Sequence, residues 1–161
     1  MLTGINQWAF PKDMTAEDAL KLAARLGYQS FELCVGEDGP VPLGISEAEA
    51  TALRRVADRF NIVLSTVGTG LGWQYPLTSP SPEVREKGIE VTERALQIAQ
   101  WLGTHTVLTV PGIVSPEVPY DVALENALAC VQKMVPVAEN LRVGIGVENV
   151  WNKFLLSPVE M

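Results

Sequence analysis

The sequence predicts an α/β protein: a parallel (β/α) barrel, of which it supplies about five of the eight βα units. Short apolar runs alternate five times with amphipathic stretches, and helix start and stop signals stand between them. Runs such as TVLTV (106–110) and VGIGV (143–147) show no strong polar alternation, as expected of strands covered on both faces. The connections are short, which implies parallel strands joined through crossover helices. An open sheet that binds a dinucleotide usually shows GxGxxG after its first strand. The segment GINQWAF (4–10) lacks it, which favours the closed barrel.

The elements follow in order. Thr3 to Ala9 reads as a first strand. Thr15, with Asp18 three residues on, opens a helix whose inner face is Ala16, Ala19, Leu20, Ala23 and Leu26, and Gly27 stops it. Ser30 to Val35 is a second strand. Ser46 and Glu49 form a capping box for a helix that buries Leu53, Val56, Ala57 and Phe60. Ile62 to Val67 is a third strand, followed by a Gly- and Pro-rich loop to Pro80. Ser81-Pro82 starts a third helix, built on Val84, Val91, Ala95, Ile98 and Leu102 and ended by Gly103. Thr106 to Val110 is a fourth strand. A fourth helix over 121–140 presents Leu124, Leu128, Val131 and Val135, with Pro136 expected to kink it or split off its last turn. Arg142 to Glu148 is a fifth strand. Ser157-Pro158-Val159-Glu160 then reads as another helix start. A full barrel takes about 250 residues. Residues 1–161 are therefore expected to be a single domain, the N-terminal part of a barrel cut at its fifth helix.

Composition narrows the function. The formal charge is −7 with no Lys/Arg cluster, which argues against a nucleic-acid partner. No apolar run is long enough to span a bilayer and no secretory signal opens the chain, so the expected address is cytoplasmic. Cys34 and Cys130 lie far apart and read as reduced structural thiols.

Barrel active sites lie at the C-terminal ends of the strands, so the polar residues there are the candidates. Glu148 ends an apolar strand, where a carboxylate is costly unless it is paired or bound to a metal. The competing role is a salt bridge to a neighbouring loop. Glu32 lies mid-strand and either points into the lumen or pairs with a base. Asn6 and Trp8 share one face by the period of two, as pocket wall or as plain packing. Asn152 and Lys153 follow Glu148 on a loop at the same mouth, where the lysine reaches a substrate hydroxyl or phosphate, or is simply solvated. Trp73 sits in the long loop after strand three, where a lid would lie. His105, the only histidine, opens strand four at the far end, which removes Ser–His–Asp and Cys–His catalysis.

Gly4-Ile5-Asn6-Gln7-Trp8-Ala9-Phe10-Pro11, Gly27-Tyr28-Gln29-Ser30-Phe31-Glu32-Leu33 and, most specifically, Gly146-Val147-Glu148-Asn149-Val150-Trp151-Asn152-Lys153-Phe154 together resemble the xylose isomerase-like TIM barrel superfamily, in its sugar phosphate isomerase/epimerase branch. The resemblance implies a divalent metal, Mn²⁺ first with Mg²⁺, Co²⁺ or Zn²⁺ as alternatives. Its ligands would be Glu, Asp, His and Glu at the ends of strands five to eight. Glu148 matches the first ligand; the other three would lie past Met161. It also implies proton transfer beside a ketose carbonyl, with Glu148 as one of two carboxylates, so this chain by itself is expected to be inactive and to bind metal weakly. Some relatives carry a second glutamate six residues on, where this chain has Phe154. The implied substrate is a small sugar or sugar phosphate. The alternatives are a non-catalytic half-barrel that self-associates as a homo-oligomer, and an apurinic-endonuclease-like nuclease, which the charge opposes.

Overall fold

Apolar run and amphipathic stretch alternate in space as they do along the chain. The structure, a computed structural model, describes residues 1–161. Its strands are β1 (Gly4–Asn6), β2 (Ser30–Val35), β3 (Val63–Thr69), β4 (Thr106–Thr109) and β5 (Gly144–Val147). They form one parallel sheet in the order β1-β2-β3-β4-β5. The helices are α1 (Ala16–Arg25), α2 (Glu47–Arg59), α3 (Pro82–Leu102) and α4 (Tyr120–Leu141), each packed on the next. Consecutive helices can touch in this way only when all lie on one face of the sheet.

Local chemistry sets the boundaries. Thr15 Oγ1 accepts from Asp18 N, and Ser46 and Glu49 complete their reciprocal capping box. Ser81 caps α3, and Gly103 ends it at φ 76°, a left-handed conformation that costs glycine little. Alternation along the strands then divides the side chains. Phe31, Leu33, Val35, Val67 and Val107 face the helices and join α1, α2 and α3 in a core of 22 buried residues. The other parity, Glu32, Cys34, Thr66 and Gly68 among them, looks onto the concave face.

Several expectations are corrected. The first strand ends at Asn6, and Gln7–Ala9 form a 3-10 turn. Leu26 and Phe60 are C-cap residues, where the chain leaves the helix axis, and both are exposed. The buried face of α4 is Ala123, Ala127, Cys130, Met134 and Ala138, one residue out of phase with the face read from sequence, and Leu128 stays 52% exposed. Two apolar stripes run side by side on this helix; the smaller residues face inward because they allow close approach to α3 and β5. The helix also continues through Pro136 to Leu141, with no turn split off. Arg142, read as the start of strand five, is instead its left-handed cap at φ 56°.

Candidate active site at the C-terminal rim

The 3-10 turn after β1 decides which side chains reach the concave face. Asn6 Oδ1 accepts from Trp8 N at 2.6 Å and so tightens the turn. Trp8 therefore stands on a turn and not on a strand; it is 60% exposed and lines the cavity next to Gln7 and Cys34. Gln7 turns inward in its place, buried, with Oε1 accepting from Cys34 N at 2.8 Å. Nothing in a period-two reading marks Gln7; only the turn brings it in.

Glu32 is a lumen carboxylate with no basic partner. Asn6 Nδ2 donates to one oxygen and Thr66 Oγ1 to the other. Gly68 makes the space, since a Cβ there would sit 3.4 Å from the Glu32 carboxyl carbon. The Cys34 thiol donates to Asn6 Oδ1 at 3.5 Å. Burial first, and the Glu32 charge second, push that thiol up to about 12, so it remains protonated. Beside this cluster a cavity of about 660 Å³ opens between the rim loops, lined by Gln7, Trp8, Phe10, Lys12, Cys34 and Leu71 among others.

Glu148 follows directly on β5. Its N–H donates to Thr109 O at 3.0 Å, extending the ladder by one residue, and the residue is half-buried. Ile145 and Val147 pack into the helix-side clusters. By alternation Gly144, Gly146 and Glu148 look the other way, and the two glycines leave the concave side of β5 bare below the carboxylate. In the sheet order β3 and β4 lie between β2, which carries Glu32, and β5, which leads into Glu148. A divalent ion of the expected type needs several oxygen or nitrogen donors. No three His, Cys, Asp or Glu side chains come together to hold one, and the end of β5 contributes a single carboxylate. The residues present do not by themselves fit the ion.

The loop beyond Glu148 is held from inside. Asn152 is wholly buried; its Nδ2 donates to Gly112 O at 2.7 Å, and its main-chain oxygen accepts from Val114 N at 3.1 Å. The expectation that Asn152 contacts substrate is corrected: its amide clamps this loop to the loop after β4. Thr78 Oγ1 binds both Ile113 N and Ile113 O, and Asn126 Nδ2 donates to Ser79 O, so the loop after β3 belongs to the same network. Phe154 and Leu155 are buried beneath it. Lys153, at φ 57°, stands exposed with no ion pair, whereas Lys21, Lys87 and Lys133 are all paired. Trp73 is 42% exposed and stacks on Trp151, with ring centroids 5.7 Å apart and planes at 14°. Sequence reasoning did not single out Trp151. Its place between Val150 and the clamping Asn152 was the available signal. His105 lies exposed at the opposite end of the sheet, where its carbonyl accepts from Gly144 N.

A family model described as xylose isomerase-like TIM barrel matches residues 20–160. This chain belongs to that family. A Haemophilus influenzae protein provisionally assigned as L-ribulose-5-phosphate 3-epimerase is 24% identical over 156 residues, which are 96% of this chain and 54% of that protein. Among solved structures, a D-psicose 3-epimerase crystallised with D-fructose superposes with a TM-score of 0.78 at 22% identity, over 93% of this chain and 53% of the other. The D-psicose 3-epimerase of Clostridium cellulolyticum H10 with D-tagatose gives 0.76 at 19% identity, over the same 93% and 53%. These structural likenesses are likenesses of fold. The chain spans about half the length of the relatives it matches. No helix is long and apolar enough to cross a membrane.

Proposed function

We propose that this chain supplies the first five strands and the four helices between them, as one domain, of a cytoplasmic ketose epimerase that inverts the carbon beside the carbonyl. The observation that carries the reading is the half-buried Glu148 at the C-terminal end of β5, in a chain whose relatives include proteins named as 3-epimerases. The hydrogen on the carbon next to a ketose carbonyl is acidic, because the carbanion spreads onto the oxygen as an enediolate. Inversion needs one group to take the proton from one face and a second to return it on the other. Glu148 is one such group. The second is not found on this chain, so residues 1–161 alone turn nothing over. The divalent ion that the resemblance implies would polarise the sugar oxygens, but Glu148 is a single donor toward it, and what remains on this chain is the work of one carboxylate. Asn6, Glu32 and the walls of the adjoining cavity hold the sugar hydroxyls, and Lys153 reaches an anionic substituent where the sugar carries one. The nuclease alternative draws no support from a chain of charge −7.

The test is exchange in heavy water. Full-length protein, mixed with a ketose, should incorporate deuterium at the carbon beside the carbonyl, read by proton NMR. Glu148→Gln should stop exchange and turnover while circular dichroism stays unchanged. Near-normal turnover in that variant would refute the assignment.

A further inference from the structure

Gln7 makes only half of the hydrogen bonds its side chain can form. It is 7% exposed, and its Oε1 accepts from Cys34 N at 2.8 Å. A backbone N–H can only donate, so the amide oxygen is the atom that faces it and the other is the NH2 group. Those two hydrogens meet no acceptor of the chain. Yet they are not sealed in, because the side-chain polar atoms shut off from solvent without a partner are Thr104 Oγ1 and Thr109 Oγ1. The open space beside Gln7 is the cavity of about 660 Å³ between the rim loops. Phe10, Met14, Val35 and Leu71 give it apolar walls, and the Cys34 thiol that also lines it is engaged with Asn6 Oδ1. The walls are fixed in advance. Phe10 stacks on the buried Phe31 with ring centroids 5.6 Å apart. The loop after β2 is closed by Gly36 N donating to Val41 O at 3.1 Å and Leu43 N to Gly36 O at 2.8 Å. Trp8 reaches over to the loop after β3, where a Cβ at Gly70 would lie 3.8 Å from its Cζ2. Every wall comes from α1 or the ends of β1, β2 and β3 and the loops after them, so the cavity does not depend on the unpaired sides of β1 and β5.

We propose that this cavity is a binding site for an uncharged, ring-sized molecule with an apolar body and one carbonyl oxygen, which accepts from Gln7 Nε2. A preformed apolar cavity of several hundred Å³ with a single well-placed polar group is the usual form of a small-molecule site. Apolar walls gain by releasing water to the bulk, and the carbonyl replaces the water on the Gln7 amide with an equivalent bond. Charge is excluded on two counts. The interior offers one neutral donor, and a buried ion without a partner is costly. The exposed charges on the lining are Lys12 and Asp38, one of each sign, so the mouth selects neither anions nor cations. A phosphate calls for several donors and finds one inside. The site goes beyond the epimerase reading, in which sugar hydroxyls meet the wall that Cys34 shares with the Asn6–Glu32 cluster. Hydroxyls also need acceptors, and Phe10, Met14, Val35 and Leu71 offer none.

The experiment follows the 161-residue chain, labelled with nitrogen-15, by proton–nitrogen correlation NMR. Acetophenone, ethylbenzene, benzoate and benzylamine are titrated separately; the first two have nearly the same shape and differ in the carbonyl. Acetophenone should move the Gln7 side-chain amide pair and the Cys34 N–H, and bind about fivefold more tightly than ethylbenzene, the scale of one hydrogen bond. Benzoate and benzylamine should bind more weakly than either. Gln7→Glu keeps an acceptor for Cys34 N and removes the NH2 group, so acetophenone should fall to the level of ethylbenzene. If that variant does not fold, Gly70→Leu serves, since Gly70 lies at φ −83° on the cavity lining, where a side chain is allowed. It should weaken both ring compounds alike with Gln7 untouched. Equal affinity for acetophenone and ethylbenzene overturns the proposal, as does tighter binding of benzoate or benzylamine. Shifts that spare Gln7 and Cys34 and follow the exposed α4 residues Leu128 and Val135 also overturn it, by placing the ligand on another surface. None of these results bears on Glu148, whose assignment stands or falls by deuterium exchange.

Discussion

Asn152 and Cys34 show how far a side chain's neighbours decide its use. Both are polar or ionisable groups at the rim end of the sheet, and both are spent on structure. Asn152→Ala would leave Gly112 O buried without its 2.7 Å donor. An unsatisfied buried acceptor costs about 1–3 kcal/mol, so the urea midpoint should fall by that equivalent. The near-ultraviolet dichroism of the stacked Trp73–Trp151 pair should weaken with it; an unchanged midpoint and spectrum would show the clamp to be idle. Cys34 titrates in the opposite sense from a reactive thiol. Its folded value is raised from 9.0 to about 12, so folding favours the protonated form. The stability it contributes is therefore complete below pH 9 and is lost as pH climbs through about 12. Burial raises Cys130 as well. Iodoacetamide near pH 9 should alkylate both cysteines slowly in the folded chain and quickly in urea; rapid labelling of folded Cys34 would contradict the buried, Glu32-facing thiol.

At the scale of the element, Gly88 sets two rules against each other. Glycine inside a helix costs about 1 kcal/mol relative to alanine, so Gly88→Ala should stabilise α3 on propensity alone. Yet a Cβ at Gly88 would lie 2.4 Å from Tyr75 O and 2.9 Å from Leu77 Cδ2. Overpacking of that kind costs about 1–3 kcal/mol and displaces the loop that carries Trp73, so packing wins and Gly88→Ala lowers the melting temperature. A rise in the melting temperature would mean that the loop yields freely. The same contest explains what could be read from sequence. Caps and breakers act within a few residues, so the starts at Thr15, Ser46 and Ser81 and the stop at Gly103 were legible. The phase of α4 was not, because side-chain bulk ranks Leu124 and Leu128 above Ala123 and Ala127, whereas close helix approach selects the alanines. Glu148 could be marked from its place after an apolar strand. The inward turn of Gln7 and the Trp73–Trp151 stack depend on where loops distant in sequence meet, and no local pattern encodes that.

Across the whole molecule, the apolar surface does not end at the core. β1 pairs only with β2 and β5 only with β4, so each has a side without a hydrogen-bonded neighbour. Beside β5 an apolar groove of about 380 Å³ runs along α4, lined by Val131, Val135, Val143 and Ile145 among others. Leu128 at 52% and Val135 at 39% continue it on the helix, and Val63 at 50% stands on the concave face. Unpaired strand edges next to exposed apolar stripes favour association, and a two-fold contact lets one such surface cover itself. The 161-residue chain should therefore sediment as a dimer at micromolar concentration. Leu128→Glu combined with Val135→Lys should shift it toward monomer if the α4 stripe is the contact. The pair of changes lies on an exposed helix face, so secondary structure and the melting transition at low concentration should survive. Sedimentation of the unaltered chain as a monomer, with α4 and the concave face left in water, would defeat the prediction. A dimer indifferent to both changes would move the contact to the β1 edge or the concave face.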